Sequence, residues 1–149
     1  MKLDFFSRLP FASASAGATH QIISSAAGPE RTAAEAILRQ LLADLPELLI
    51  GAVVQLSSGQ ALASYATSRD FNLGKVCGYN AEVVRQTHQL LQALQLTEEH
   101  IEDILITLSG QLHLLRLLPD GQRLLYVVVD CRDTNLALAR AVMRACVEG

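Results

Sequence analysis

ILITLSGQLHLLRLLPDGQRLLYVVVD, residues 104–130, decides the fold. It reads as three strands, His100 to Leu108, Gln111 to Leu118 and Arg123 to Cys131. The joints Ser109-Gly110 and Pro119-Asp120-Gly121 are too short for anything but antiparallel hairpins. In the last strand Leu124, Tyr126 and Val128 alternate with Leu125, Val127 and Val129, so both sets are apolar. A sheet wet on one side would alternate with polar residues, and both faces must therefore be covered.

Outward from this core, LLIGAVVQLSSGQALASYA (48–66) reads as a strand, a Gly turn and a second strand. Ala33, Ala36, Ile37, Leu41 and Leu45 recur at helical spacing after Pro29 and predict a helix over 29–44. A second helix is predicted from Asn72 to Leu94, and a third over 135–147 capped by Asp133 or Thr134. The order is α-β-β-α-β-β-β-α. This gives an α/β (α+β) domain, a single antiparallel five-stranded sheet with helices on both faces. Residues 1–28, rich in Ala, Ser and Gly, read as a flexible tail and 29–149 as the domain. Within the tail Leu3, Phe5, Phe6, Leu9 and Phe11 form an apolar knot, read as packing on the domain or as a docking peptide.

The chain has 149 residues, half of them hydrophobic, enough for a sizeable core without staples. A net charge of −3 with scattered Lys and Arg offers no funnel for nucleic acid. Asp4, Arg8 and Pro10 break any leader-like apolar stretch, and no segment is long enough for a membrane span. Three cysteines without C-x-x-C spacing suit a reducing compartment, so a cytoplasmic location is expected.

No cofactor, metal or catalytic site is expected. The phosphate-binding motifs G-x-x-x-x-G-K-[ST] and G-x-G-x-x-G are absent. Cys77 and His88 lie too far apart on one helix to meet. The carboxylate pairs Glu98-Glu99 and Glu102-Asp103 read as a solvated face, and Arg69, Arg85 and Arg132 as solubilising.

Two features point instead to protein contacts. If the last three strands follow hairpin order, the β-prone run with Ile104, Ile106 and Leu108 forms a sheet border, a hazard unless a second copy pairs with it. On the second helix Gly74 and Gly78 are unfavourable by about 1 kcal/mol each relative to Ala, which suggests close packing against a dimer mate or against the sheet beneath. With Lys75, Tyr79, Glu82, Arg85 and Gln89 they make a candidate interface.

The succession of the hairpin 48–66, the strands 104–130 and the ending NLALARAVMRA (135–145) resembles the roadblock/dynein-light-chain family, with a longin-like or profilin-like fold. The likeness spans roughly residues 29–148. It implies a homodimer or heterodimer joined sheet to sheet, and partners among Ras-like small GTPases or motor complexes. Bacterial members act on a polarity-controlling GTPase as activators or scaffolds. The expected function is thus a non-catalytic dimeric scaffold or regulator of a partner protein. The alternative is a small-ligand sensor with a profilin-like pocket lined by Tyr65, Tyr126 and His113.

Overall fold

The computed structural model describes residues 21–68 and 70–149. In chain order the elements are β1 (Ile23–Ser24), α1 (Gly28–Asp44), β2 (Leu48–Gln55), β3 (Gln60–Ala66), α2 (Leu73–Ala93), β4 (Asp103–Thr107), β5 (Gln111–Leu117), β6 (Arg123–Asp130) and α3 (Leu136–Glu148). The strands form one sheet in the order β1-β3-β2-β6-β5-β4. Every neighbouring pair is antiparallel.

The expectation of five strands is corrected to six, and the order gains a leading strand. That strand, β1, is two residues long and comes from the stretch read as tail. Two residues carry no periodicity, so only tertiary contacts reveal it. Ser25 N and Ala26 N both donate to Leu62 O, at 3.1 and 3.2 Å. Ser25 Oγ donates to Ala61 O, and Ser24 Oγ donates to Glu35 Oε1 at 2.6 Å. Arg31 and Arg39 also reach Glu35. These donors, the Ser24 hydroxyl foremost, hold the Glu35 carboxyl down at about 2.

The two faces of the sheet are roofed unequally. Helices α1 and α3 share one face, where Leu38, Leu41 and Met143 pack against Val53, Leu125 and Val127. The other face has α2 alone, with Cys77 and Val84 against Ile50, Leu115, Tyr126 and Val128. Both alternating sets of β6 are buried, as the sequence requires.

Helix boundaries follow local chemistry. Asn72 Oδ1 accepts from Lys75 N at 3.1 Å and starts α2. For α3 the expected cap at Asp133 or Thr134 is corrected to Asn135, whose Oδ1 accepts from Leu138 N at 2.8 Å. Asp133 and Thr134 belong to a turn instead, their N–H groups both donating to Asp130 O at 3.2 Å.

Candidate interaction surface

Strand β4 is a sheet border, as its sequence predicts. Its inner side pairs with β5 from Asp103↔Arg116 to Thr107↔Leu112. Leu108 N donates to Gln111 O at 2.9 Å, which fixes the parity of the ladder. Ile104 and Ile106 therefore turn their backbone groups toward β5, and Asp103, Leu105 and Thr107 turn theirs outward. Among the described residues no strand meets them. The side chains of Ile104 and Ile106 pack toward α2. Leu105 and Leu108 remain 37% and 36% exposed.

Helix α2 lies on the sheet only through its first half. Its buried residues are Cys77, Asn80, Ala81 and Val84. Beyond Val84 the helix runs past its support, leaving Leu90 and Leu94 exposed. One flank, carrying Val76, Val83 and Thr87 at helical spacing, faces the β4 side. Val76 and Val83 pack in the same cluster as Ile101, Ile104 and Ile106.

The sequence-derived interface occupies a different part of the helix. A side chain on Gly59 would meet the Gly78 backbone at 3.1 Å, so Gly78 passes closely over the β2–β3 turn. A side chain on Gly78 itself would meet nothing within 4 Å. Arg85 Nη1 donates to Leu56 O of the same turn at 2.9 Å. Gly74 and Gly78 thus share the hairpin side of α2 with Arg85, while Lys75, Tyr79, Glu82 and Gln89 are exposed. The Lys75 ammonium lies 6.0 Å from the Tyr79 ring centre, and Glu82 pairs with Arg85 at 2.9 Å. The residues proposed on α2 and those on β4 form two patches, not one.

At the start of β4 the reading of Glu102-Asp103 as a solvated pair holds for Glu102 and fails for Asp103. The Asp103 side chain is only 8% exposed. It accepts from Arg140 Nε and Nη2 at 2.9 and 2.8 Å, with Arg116 Nη1 at 3.4 Å. Arg116, equally buried, also reaches Glu148 at 3.5 Å. Beside this cluster a groove of about 460 Å³ is lined by Thr87, Leu91, Leu96, Ile101 and Ile104, with Glu99, His100 and Glu102 around it. Glu98, Glu99 and Glu102 are exposed and form no ion pair among the described residues.

Cys77, Cys146 and His113 are buried. Burial pushes the Cys77 and Cys146 thiols up to about 11, away from the reactive thiolate. His113 is buried, with Nδ1 2.8 Å from Tyr126 Oη and Nε2 3.1 Å from Gln111 Oε1. Its pKa is pushed down to about 4 by burial, and burial pushes that of Tyr126 up. The residues named for the alternative sensor pocket do not line one cavity, because Tyr65 packs on the α1/α3 face and Tyr126 on the α2 face. Arg132 is held by Asp130 at 2.6 Å; Arg69 lies outside the described residues. Among the described residues no three His, Cys, Asp or Glu side chains gather as a metal site. Nor is any helix among them long and apolar enough to cross a membrane.

No family model matches the chain, and no curated protein matches it by sequence. Solved structures do match. Myxococcus xanthus MglB superposes with a TM-score of 0.72 at 17% identity, over 83% of this chain and 88% of that one. The gliding protein MglB from Thermus thermophilus gives 0.62 at 16% identity, over 85% and 98%. A roadblock/LC7 domain from Streptomyces avermitilis gives 0.61 at 11% identity, over 75% and 89%. Open-edged sheet, three helices and these superpositions agree: the chain has the roadblock/LC7 fold, in the form found in bacterial MglB.

Proposed function

We propose that this chain is a non-catalytic module that pairs with a second copy through β4 and presents the outer face of α2 to a partner protein. The partner class is a Ras-like small GTPase, with the module, residues 29–149, acting as scaffold or regulator. Unpaired cysteines suit work in the cytoplasm.

One observation carries the reading. The outward backbone groups of Asp103, Leu105 and Thr107 have no strand beside them among the described residues, and the apolar Leu105 and Leu108 on this border are exposed. An unpaired, apolar border of this kind is a template for another strand, and self-pairing about a two-fold axis satisfies both copies at once. Lys75, Tyr79 and Gln89 then remain accessible for a different protein, with an exposed aromatic as the natural anchor. The likeness to MglB supports the regulator class through the fold only.

Sedimentation velocity at micromolar concentration tests the pairing. The wild type should run as a dimer and Leu105→Lys as a folded monomer; a wild-type monomer overturns it. The partner is tested with purified small GTPases loaded with GDP or a GTP analogue. Binding that depends on the nucleotide and is lost in Tyr79→Ala supports the reading, and indifference to both refutes it.

A further inference from the structure

The groove of about 460 Å³ at the start of β4 lies beside the unpaired border, since Asp103 and Ile104 of that strand line it. Its floor is apolar, from Leu91, Leu96, Ile101 and Ile104. The charge in its wall is largely balanced from within: Arg140 holds Asp103 at 2.8 Å and acts on Glu102 as well, while Glu99 stands exposed in water. The groove therefore asks for an occupant that is apolar and uncharged.

Ladder geometry decides what a second β4 would bring there. Asp103, Leu105 and Thr107 turn their backbone groups outward, and an antiparallel mate bonds through residues of like orientation. A two-fold axis at Leu105 pairs Leu105 with its own copy and Asp103 with Thr107, so every outward residue of the strand is used. An axis at Ile104 or Ile106 pushes one of them past the strand end, opposite Ile101 or Ser109. With the axis at Leu105, Thr107-Leu108-Ser109-Gly110 of one copy lies opposite His100-Ile101-Glu102-Asp103 of the other, which line the groove. The incoming segment carries no charge, and its Leu108 is 36% exposed in the single chain. Leu108 shares the parity of Ile104 and Ile106, whose side chains pack toward α2, and so points to the side where Leu91 waits.

We infer that Leu108 of a second copy seats in the groove of the first, over Leu91, Leu96 and Ile104, with the two-fold axis at Leu105. By symmetry each molecule fills the socket of the other. Such seating rests on the β4 pairing proposed above and adds a register and a socket that pairing alone does not specify.

The test uses the full chain with the exposed Cys131 replaced by Ser, so that it takes no part in crosslinking. Under mild oxidation Leu105→Cys should give a covalent dimer, because a hydrogen-bonded pair at the axis sets the Cα atoms about 5.5 Å apart, within disulfide reach. Thr107→Cys should give none, its two copies lying about 14 Å apart along the strands. With photoreactive benzoylphenylalanine at position 108, irradiation should yield a crosslinked dimer whose peptide map joins position 108 to Thr87, Leu91, Leu96 or Ile101 of the other copy. Leu108→Ala, a gentler change, should raise the dimer dissociation constant by about tenfold or more, since three carbons leave each of two sockets. Sedimentation velocity separates the failures. A wild-type monomer overturns the pairing and the seating with it. A wild-type dimer with no Leu105→Cys crosslink, with position 108 mapped elsewhere, or with an unchanged constant in Leu108→Ala overturns the seating alone.

Discussion

Acidification should weaken this protein through His113 before its carboxylates are protonated. An ordinary histidine titrates near 6.5, and burial brings this one down to about 4. Between those values the unfolded chain binds a proton that the folded chain does not, so stability falls as pH falls through the window. The interval corresponds to about 3 kcal/mol at most. Relaxation of the protein around the charge lowers the expectation to about 2 kcal/mol, still a sizeable share of the roughly 5–15 kcal/mol that holds a domain folded. The perturbation is His113→Gln, which keeps a polar group near Tyr126 Oη and removes the titration. The assay is urea unfolding followed by circular dichroism at steps from about pH 7 to about pH 4, at one protein concentration because association shifts apparent stability. Glu35 and Asp130, held near 2, act mainly below this window and are common to both proteins. The wild type should lose about 2 kcal/mol more than the variant over that range. Parallel curves would refute the buried-neutral assignment.

Gly59 has φ +68°, and a side chain there would press on the Gly78 backbone, so Gly59→Ala should destabilise by about 2 kcal/mol in the same urea assay. Gly78→Ala meets nothing within 4 Å and should stabilise by about 0.5–1 kcal/mol, a thermal melt shifting upward. Asp103→Ala leaves the buried Arg116, among the described residues, with the exposed Glu148 at 3.5 Å as its ionic partner, and should cost about 3 kcal/mol by chemical denaturation. Removing the α3 cap with Asn135→Ala should cost about 1 kcal/mol, read as a lower urea midpoint.

Much of the architecture is legible in the sequence because it rests on period and turn chemistry. Two interleaved apolar sets in β6 announce a doubly covered sheet, and the short joints at Ser109-Gly110 and Pro119-Asp120-Gly121 force hairpins. Hairpin order then makes β4 a border. Strand β1 is not legible, since Ile23 and Ser24 have no pattern and are held by Leu62 and Glu35 from elsewhere. The cap of α3 is easily misplaced because Asp133, Thr134 and Asn135 are all good cap residues; Asp130 draws the first two into a turn.

The candidate surface is half legible. That β4 is a border follows from strand order, but which of its residues turn outward depends on the ladder's parity, which directs the backbone of Ile104 and Ile106 to β5 and that of Leu105 away from it; the α2 residues rest on exposure along a single helix. Which flank of α2 faces β4 depends on how the helix lies on the sheet, which helical period does not specify. Asp103 illustrates the same limit: beside Glu102 it reads as solvated, and only the approach of α3 supplies Arg140.

The shortest of the described strands sets an upper bound on growth. Because Ile23 and Ser24 already lie along β3, a newcomer would have to displace them there, while Thr107 and its neighbours offer no such obstacle. Once β4 has met β4 of another molecule, both free margins are consumed and neither end can recruit a third by adding strands. Loosening the Ser24 hydroxyl from Glu35 would remove that terminator, and the same sheet could then propagate into a fibre.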